Sequence, residues 1–78
     1  MTLSEAIVAR LLALMKQRGF SQYDFYRKGG IAKSTVSQIL NGTRKKGIAV
    51  ATIYEMCQTM GVTLGEFFND PVFDEVID

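Results

Sequence analysis

The run from Ser21 to Gly42, SQYDFYRKGGIAKSTVSQILNG, carries the residues whose types and spacing suit a chemical task. Lys33, Ser34, Ser37 and Gln38 recur at intervals of three and four, so a helix gathers them on one face. They supply an ammonium, two hydroxyls and an amide. Those are the donors and acceptors that read base edges in the major groove of a duplex. No acidic residue occurs between Asp24 and Glu55, so this face offers nothing that repels a polyanion. An ordinary solvated helix face mixes Glu with Lys, and this one does not. Just downstream, Arg44, Lys45 and Lys46 are three adjacent cations. Alone they would make a solvated loop. Directly after such a helix they are placed to lie over the phosphate backbone.

Bond-making chemistry is poorly supplied. The chain has no histidine, the commonest general base and metal ligand. Its single cysteine, Cys57, has no internal disulfide partner, which fits a reducing cytoplasm. With no histidine to activate it, Cys57 reads as a small buried apolar residue. No metal-ligand spacing is visible, and 78 residues leave little room for a sizeable cleft. The expectation is a protein that is not an enzyme and uses no metal or cofactor.

The reading face needs two short helices and a turn to hold it. Ser21 is a good N-cap, and Asp24 three residues on favours the free amides of a first turn. Phe25 is the apolar anchor of this first short helix, which Gly29 and Gly30 end. Ile31 is expected to drop into the core as the hinge. The second helix buries Val36, Ile39 and Leu40 and ends at Asn41-Gly42. The first helix is about two turns long, too short to be stable alone. The surrounding chain must therefore brace it.

That bracing is legible on both sides. Residues 2 to 18 form a helix with Thr2 and Glu5 at capping-box spacing. Its apolar stripe is Ile7, Leu11 and Leu14, widened by Val8, Leu12 and Met15, with Arg10, Lys16, Gln17 and Arg18 off it. Gly19 ends it and Phe20 folds back. An amphipathic basic helix can also lie on a membrane surface, but a capped helix with a core stripe is far commoner in a small domain. Residues 43 to 48 are a loop. Residues 49 to 60 form a helix with Val50, Ile53, Met56, Cys57 and Met60 on one face, ended by Gly61. Residues 63 to 69 form a last helix, again with a capping box, Thr63 and Glu66, and with Leu64, Phe67 and Phe68 closing the core.

The expected organisation is one domain over residues 1–69 and an acidic-apolar tail over 70–78. Asp70-Pro71 breaks the chain between them. Phe73, Val76 and Ile77 pack either back on the domain or against a second copy. No apolar run approaches the ~18 residues of a membrane span, and no secretory signal precedes the first helix. All nine basic residues lie between Arg10 and Lys46, where Asp24 is the single acid. From Gly47 onward there are acids and no bases, so the net charge of +1 conceals a basic half and an acidic half.

On these residues the chain resembles the Cro/C1-type (XRE, phage-repressor-like) helix-turn-helix family. The matching positions are Ser21-Gln22, Phe25, Gly30-Ile31, Ser34-Thr35-Val36-Ser37, Ile39 and Asn41-Gly42, followed by Met60 to Leu64 and Glu66-Phe67-Phe68. The resemblance covers about residues 5 to 68. It implies an all-α, compact five-helix, lambda-repressor-like domain whose second and third helices are the reading pair. It implies that Lys33, Ser34 and Gln38 face base edges with Ser37 nearby. It places Gln22, Asn41, Thr43, Arg44, Lys45 and Lys46 at phosphates, with Gln22 also steadying the recognition helix. Lys33 suits the acceptors of guanine and Gln38 the paired donor and acceptor of adenine.

Three positions depart from the family pattern. Tyr26 stands where alanine is usual, so either the two helices open or the ring points toward the DNA backbone. Ala32 stands where a capping Ser or Thr is usual, which leaves the third helix without a side-chain cap. The loop from Gly42 to Val50 is about two residues longer than the common pattern.

The function expected is a sequence-specific regulator of transcription, most simply a repressor. It acts in the cytoplasm as a homodimer on a palindromic duplex operator, with no small-molecule substrate. The alternative is a protein-interaction module on the same fold, such as an antitoxin-like subunit, in which the acidic half and apolar tail carry the partner.

Overall fold

The structure is a computed structural model that describes residues 1–44 and 47–77. Five α-helices follow one another: α1 (Leu3–Arg18), α2 (Gln22–Gly29), α3 (Lys33–Leu40), α4 (Val50–Met60) and α5 (Leu64–Phe68). A short 3-10 turn, Pro71–Glu75, closes the chain. No strand occurs among the described residues, and the all-α, lambda-repressor-like architecture is as expected.

Three of the helices start on reciprocal caps that the sequence spells out. Thr2 Oγ1 accepts the Glu5 N–H at 3.1 Å while Glu5 Oε1 accepts the Thr2 N–H at 2.7 Å. Ser21 and Asp24 do the same for α2, and Thr63 and Glu66 for α5. Each pair satisfies donors that a helix start otherwise leaves unpaired. The bonds from Thr2, Ser21 and Thr63 hold the carboxyls of Glu5, Asp24 and Glu66 below their ordinary range.

The core forms where the helices meet. Leu11 of α1, Phe25 of α2, Val36 and Ile39 of α3, Ile53, Met56 and Cys57 of α4 and Phe67 of α5 are sealed from solvent. Helix α1 packs on α3 and on the tail turn, α2 packs on α4 and α3, and α5 packs on α4. The buried face of α1 is narrower than its composition suggests. Leu12 is 47% exposed and borders a groove with Leu40 and Ile48 rather than entering the sealed core. Val50 is 61% exposed. Helix α2 meets α4 closely at Thr59, at the end of α4 opposite Val50. Phe68 is partly exposed and packs outside the sealed core, edge-on to Phe67 at 5.0 Å.

The tail folds back. Phe73 lies 5.8 Å from the Phe67 ring and 5.0 Å from the Phe68 ring. The Met1 ammonium donates to the Glu75 carbonyl at 3.2 Å, and the Ile77 N–H donates to the Met1 carbonyl at 3.2 Å. Of the two placements the sequence leaves open, Phe73 takes the first, while Ile77 stays 86% exposed.

Gly29 marks a close contact between α2 and α4. A Cβ there would collide with the Thr59 hydroxyl, which is itself held by the Glu55 carbonyl at 2.8 Å. Gly29→Ala is therefore expected to destabilise the fold by about 1–3 kcal/mol in chemical denaturation. Adding Thr59→Ala should recover part of that loss, because it removes the colliding atom. The capped carboxyls predict a pH signature as well. Their folded pKa values lie below the unfolded ones, so their contribution is present above the unfolded values and is lost as pH falls through the folded ones. Melting temperature is expected to be flat near neutrality and to fall below about pH 4, with a shallower fall in a Glu5→Gln, Glu66→Gln variant.

Candidate nucleic-acid interface

Burial of one side of α3 decides which side is free. Val36 and Ile39 are sealed, and Leu40 packs against the same core. Lys33, Ser34 and Gln38 are exposed and Ser37 is half-buried. The four residues expected at base edges thus share the outward part of one short helix.

The turn before α3 holds that face in place. Gly30 sits at φ 65°, ψ 21°, a left-handed conformation that a side chain would strain. Its N–H and that of Ile31 both reach the Phe25 carbonyl, the latter at 3.2 Å. Ile31 then enters the core at 6% exposure, as expected of a hinge. Helix α3 starts at Ala32 with no side-chain cap, so its first-turn N–H groups lack a side-chain acceptor.

The residues expected at phosphates fall into different settings. Asn41 Nδ2 donates to Ser37 Oγ at 3.1 Å. The Thr43 N–H and hydroxyl both donate to the Gln38 carbonyl, at 3.1 and 3.4 Å. Both residues therefore finish the C-terminal end of α3, and both remain exposed. Arg44 is half-buried, and its Nη1 is sealed from solvent with no hydrogen-bond partner among the described residues. It borders a groove between α1 and the chain after α3, walled by Val8, Leu12, Leu40 and Ile48. Lys45 and Lys46 lie outside the described residues. Gln22 is half-buried at the start of α2, where its Nε2 donates to Tyr26 Oη at 2.6 Å.

Tyr26 itself is half-buried between α2 and α3, and the Lys33 ammonium lies 5.7 Å from its ring centroid. The two helices still pack on each other. Two further cations of α2 lie over aromatic rings: Arg27 over Tyr23 at 5.8 Å and Lys28 over Phe20 at 5.5 Å. Asp24, the acid of the basic stretch, is engaged in the α2 cap, and Lys28 approaches its carboxylate at 4.0 Å.

Two cations leave this surface altogether. Arg10 donates to the carbonyls of Phe67 and Glu66, each at 2.8 Å, and pairs with Asp70 at 3.1 Å. Arg18 donates to the Met60 carbonyl at 3.2 Å. Both neutralise the negative C-terminal ends of helices, α5 and α4, rather than facing a ligand. Sequence reasoning missed these roles, because the partners lie 57 and 42 residues away.

Among the described residues no cluster of three or more His, Cys, Asp or Glu could hold a metal ion. No helix there is long and apolar enough to cross a membrane. Burial pushes the Cys57 thiol up to about 11, which keeps it a thiol at neutral pH.

A model of the helix-turn-helix family HTH_3 matches residues 11–67, well over half of the chain. The chain belongs to this Cro/C1-type (XRE) helix-turn-helix family, a DNA-binding and non-enzymatic one. No curated protein and no solved structure matches the chain significantly.

The division of cations has a measurable consequence. Arg10→Ala should cost about 2–3 kcal/mol of stability, because it strips two carbonyls and Asp70 of a charged partner. Below the melting transition it should leave the salt dependence of DNA binding unchanged. If Arg10 instead met phosphate, the log–log slope of affinity against salt would flatten by about one in the same titration.

Proposed function

We propose that the protein is a sequence-specific regulator of transcription, most simply a repressor that occludes a promoter. Helix α3 enters the major groove, with Lys33, Ser34 and Gln38 at base edges and Ser37 beside them. Gln22, Asn41, Thr43, Arg44, Lys45 and Lys46 contact phosphates. The observation that carries this reading is the outward face of α3: short, free of acids, exposed at three of its four polar positions, and backed by sealed Val36 and Ile39. An anion placed against it meets the ammonium of Lys33 and finds no carboxylate on that helix.

The target is a duplex with two-fold symmetry, bound by two copies of the chain with half-sites one helical turn, ~34 Å, apart. Lys33 addresses the acceptors of guanine and Gln38 the adenine pair of donor and acceptor. The partner-module alternative rests on the acidic half and the apolar tail; of that tail, Phe73 is taken up by Phe67 and Phe68 of the same chain, while Ile77 stays exposed. That leaves the α3 face as the better-supplied surface.

Selection of bound duplexes from a random pool is expected to return a recurring palindrome. Lys33→Ala with Gln38→Ala should lower discrimination between that site and scrambled DNA by roughly ten- to a hundredfold, while weak salt-sensitive binding persists. With about four phosphates contacted per protomer, the log–log salt slope is expected near −3 to −4 per protomer. Unchanged discrimination in the double variant would remove these residues from the reading.

A further inference from the structure

Lys33 is the first residue of α3, where helix geometry alone leaves a long side chain free to sweep a wide arc. A free lysine is a poor reader. It loses rotamer freedom on binding, and a mobile point charge meets phosphate as readily as a base. Three contacts restrict this one. The Lys33 ammonium lies 5.7 Å from the centroid of the Tyr26 ring. Tyr26 Oη accepts a 2.6 Å hydrogen bond from Gln22 Nε2, one turn earlier on α2. The Tyr23 ring meets the Tyr26 ring edge-on, at 6.3 Å and 87°. The ring beneath the lysine is thus held at its hydroxyl by one neighbour and stands perpendicular to the ring of another. Only then does it present a fixed face to a charge on the other helix.

We propose that Tyr26 is a specificity-determining positioning residue, a ring clamped between α2 and α3 that aims the Lys33 ammonium at one base pair of the operator. The inference rests on the DNA-reading role of α3 proposed above. It gives a route for the steadying role that the family resemblance implies for Gln22. Gln22 steadies the reading face through the tyrosine hydroxyl rather than by touching α3. It also accounts for a bulky residue at a helix contact where a small one would allow closer packing. The ring, packed partly against the core, links the lysine of α3 to the glutamine of α2.

The chain of contacts separates the two ends of the tyrosine. Tyr26→Phe keeps the ring face under Lys33 and loses the bond to Gln22. Tyr26→Ala loses both. In the free protein, the ε-methylene protons of Lys33 should show an upfield ring-current shift in the wild type. The shift is expected to persist, reduced, in Tyr26→Phe and to vanish in Tyr26→Ala. Because no DNA is present, this arm tests the clamp independently of what α3 reads.

The second arm is a binding-site selection repeated with wild type, Tyr26→Ala, Lys33→Ala and the double variant, on protein shown by circular dichroism to be folded. Preference is expected to relax by roughly two- to fivefold in Tyr26→Ala, the range a surface cation–π contact supports, at the base pair that Lys33→Ala also relaxes. The double variant should lose no more at that position than Lys33→Ala alone. Two results would overturn the proposal: an even loss across all positions in Tyr26→Ala, or additive losses in the double variant. If the wild type shows the ring-current shift but selects no preferred sequence, the reading role of α3 falls, and the aiming role falls with it. If it selects a sequence without the shift, only the clamp is wrong.

Discussion

The fold depends on one buried hinge. Helices α2 and α3 are eight residues each, and neither has enough internal hydrogen bonding to persist alone. What holds them at a fixed angle is Ile31, which sits in the core directly after the left-handed Gly30. The Phe25 carbonyl takes the N–H of both residues, so the chain cannot leave α2 in another direction without losing two bonds and an apolar anchor. Phe25 on one side and Val36 with Ile39 on the other complete the seal. Once that underside is buried, the polar residues of α3 have one place to go. The exposed polar face of α3 is thus a product of core packing, and its own hydrogen bonds only trim its ends.

Electrostatics divides the basic residues by what lies near them. Arg10 and Arg18 sit on α1, within reach of the carbonyl ends of α5 and α4, and they are spent on those carbonyls. A guanidinium suits this work, since its planar fork can meet two carbonyls and a carboxylate together, as Arg10 does. Arg27, Lys28 and Lys33 lie over the rings of Tyr23, Phe20 and Tyr26, and Lys28 also approaches the Asp24 carboxylate. A ring face holds a cation without neutralising its charge, so Arg27 and Lys33 keep theirs for a polyanion. A basic half in the chain therefore becomes a smaller basic surface in the fold, with part of its charge invested in joining α1 to the C-terminal helices.

Capping links these two levels. The acids that could spoil a DNA-facing surface are drawn into helix starts. Asp24 is the instructive one, since it lies in the basic stretch yet spends its carboxylate on the Ser21 N–H and hydroxyl. Uncapped α3, by contrast, begins on Ala32 and keeps its first-turn amides clear of side-chain acceptors. The contrast puts negative charge at the start of α2, where it stabilises the helix dipole, and none at the start of α3.

Local signals in the chain were enough to place most elements. Thr2, Ser21 and Thr63 with their acidic partners three residues on located three helix starts, because a capping box is a contact between near neighbours. Glycines located the ends, and the spacing of Val36, Ile39 and Leu40 told which side of α3 faces inward. Contacts between distant residues were not legible in this way. The sequence marks Arg10 as basic and off the apolar stripe, but not that α5 ends beside it. It marks Tyr26 as large for its position, but not that Gln22 and Lys33 would take hold of it from two helices. It permits Phe73 to pack inward or outward, and the meeting of Phe67 and Phe68 decides for inward. By itself the sequence determined the helices, their caps and the polar composition of the exposed face, since these follow from residues within a turn or two of each other. Only the tertiary structure decided which cations pair with helix ends and how Lys33 is held, because those depend on which helix ends and rings are brought within a few ångströms.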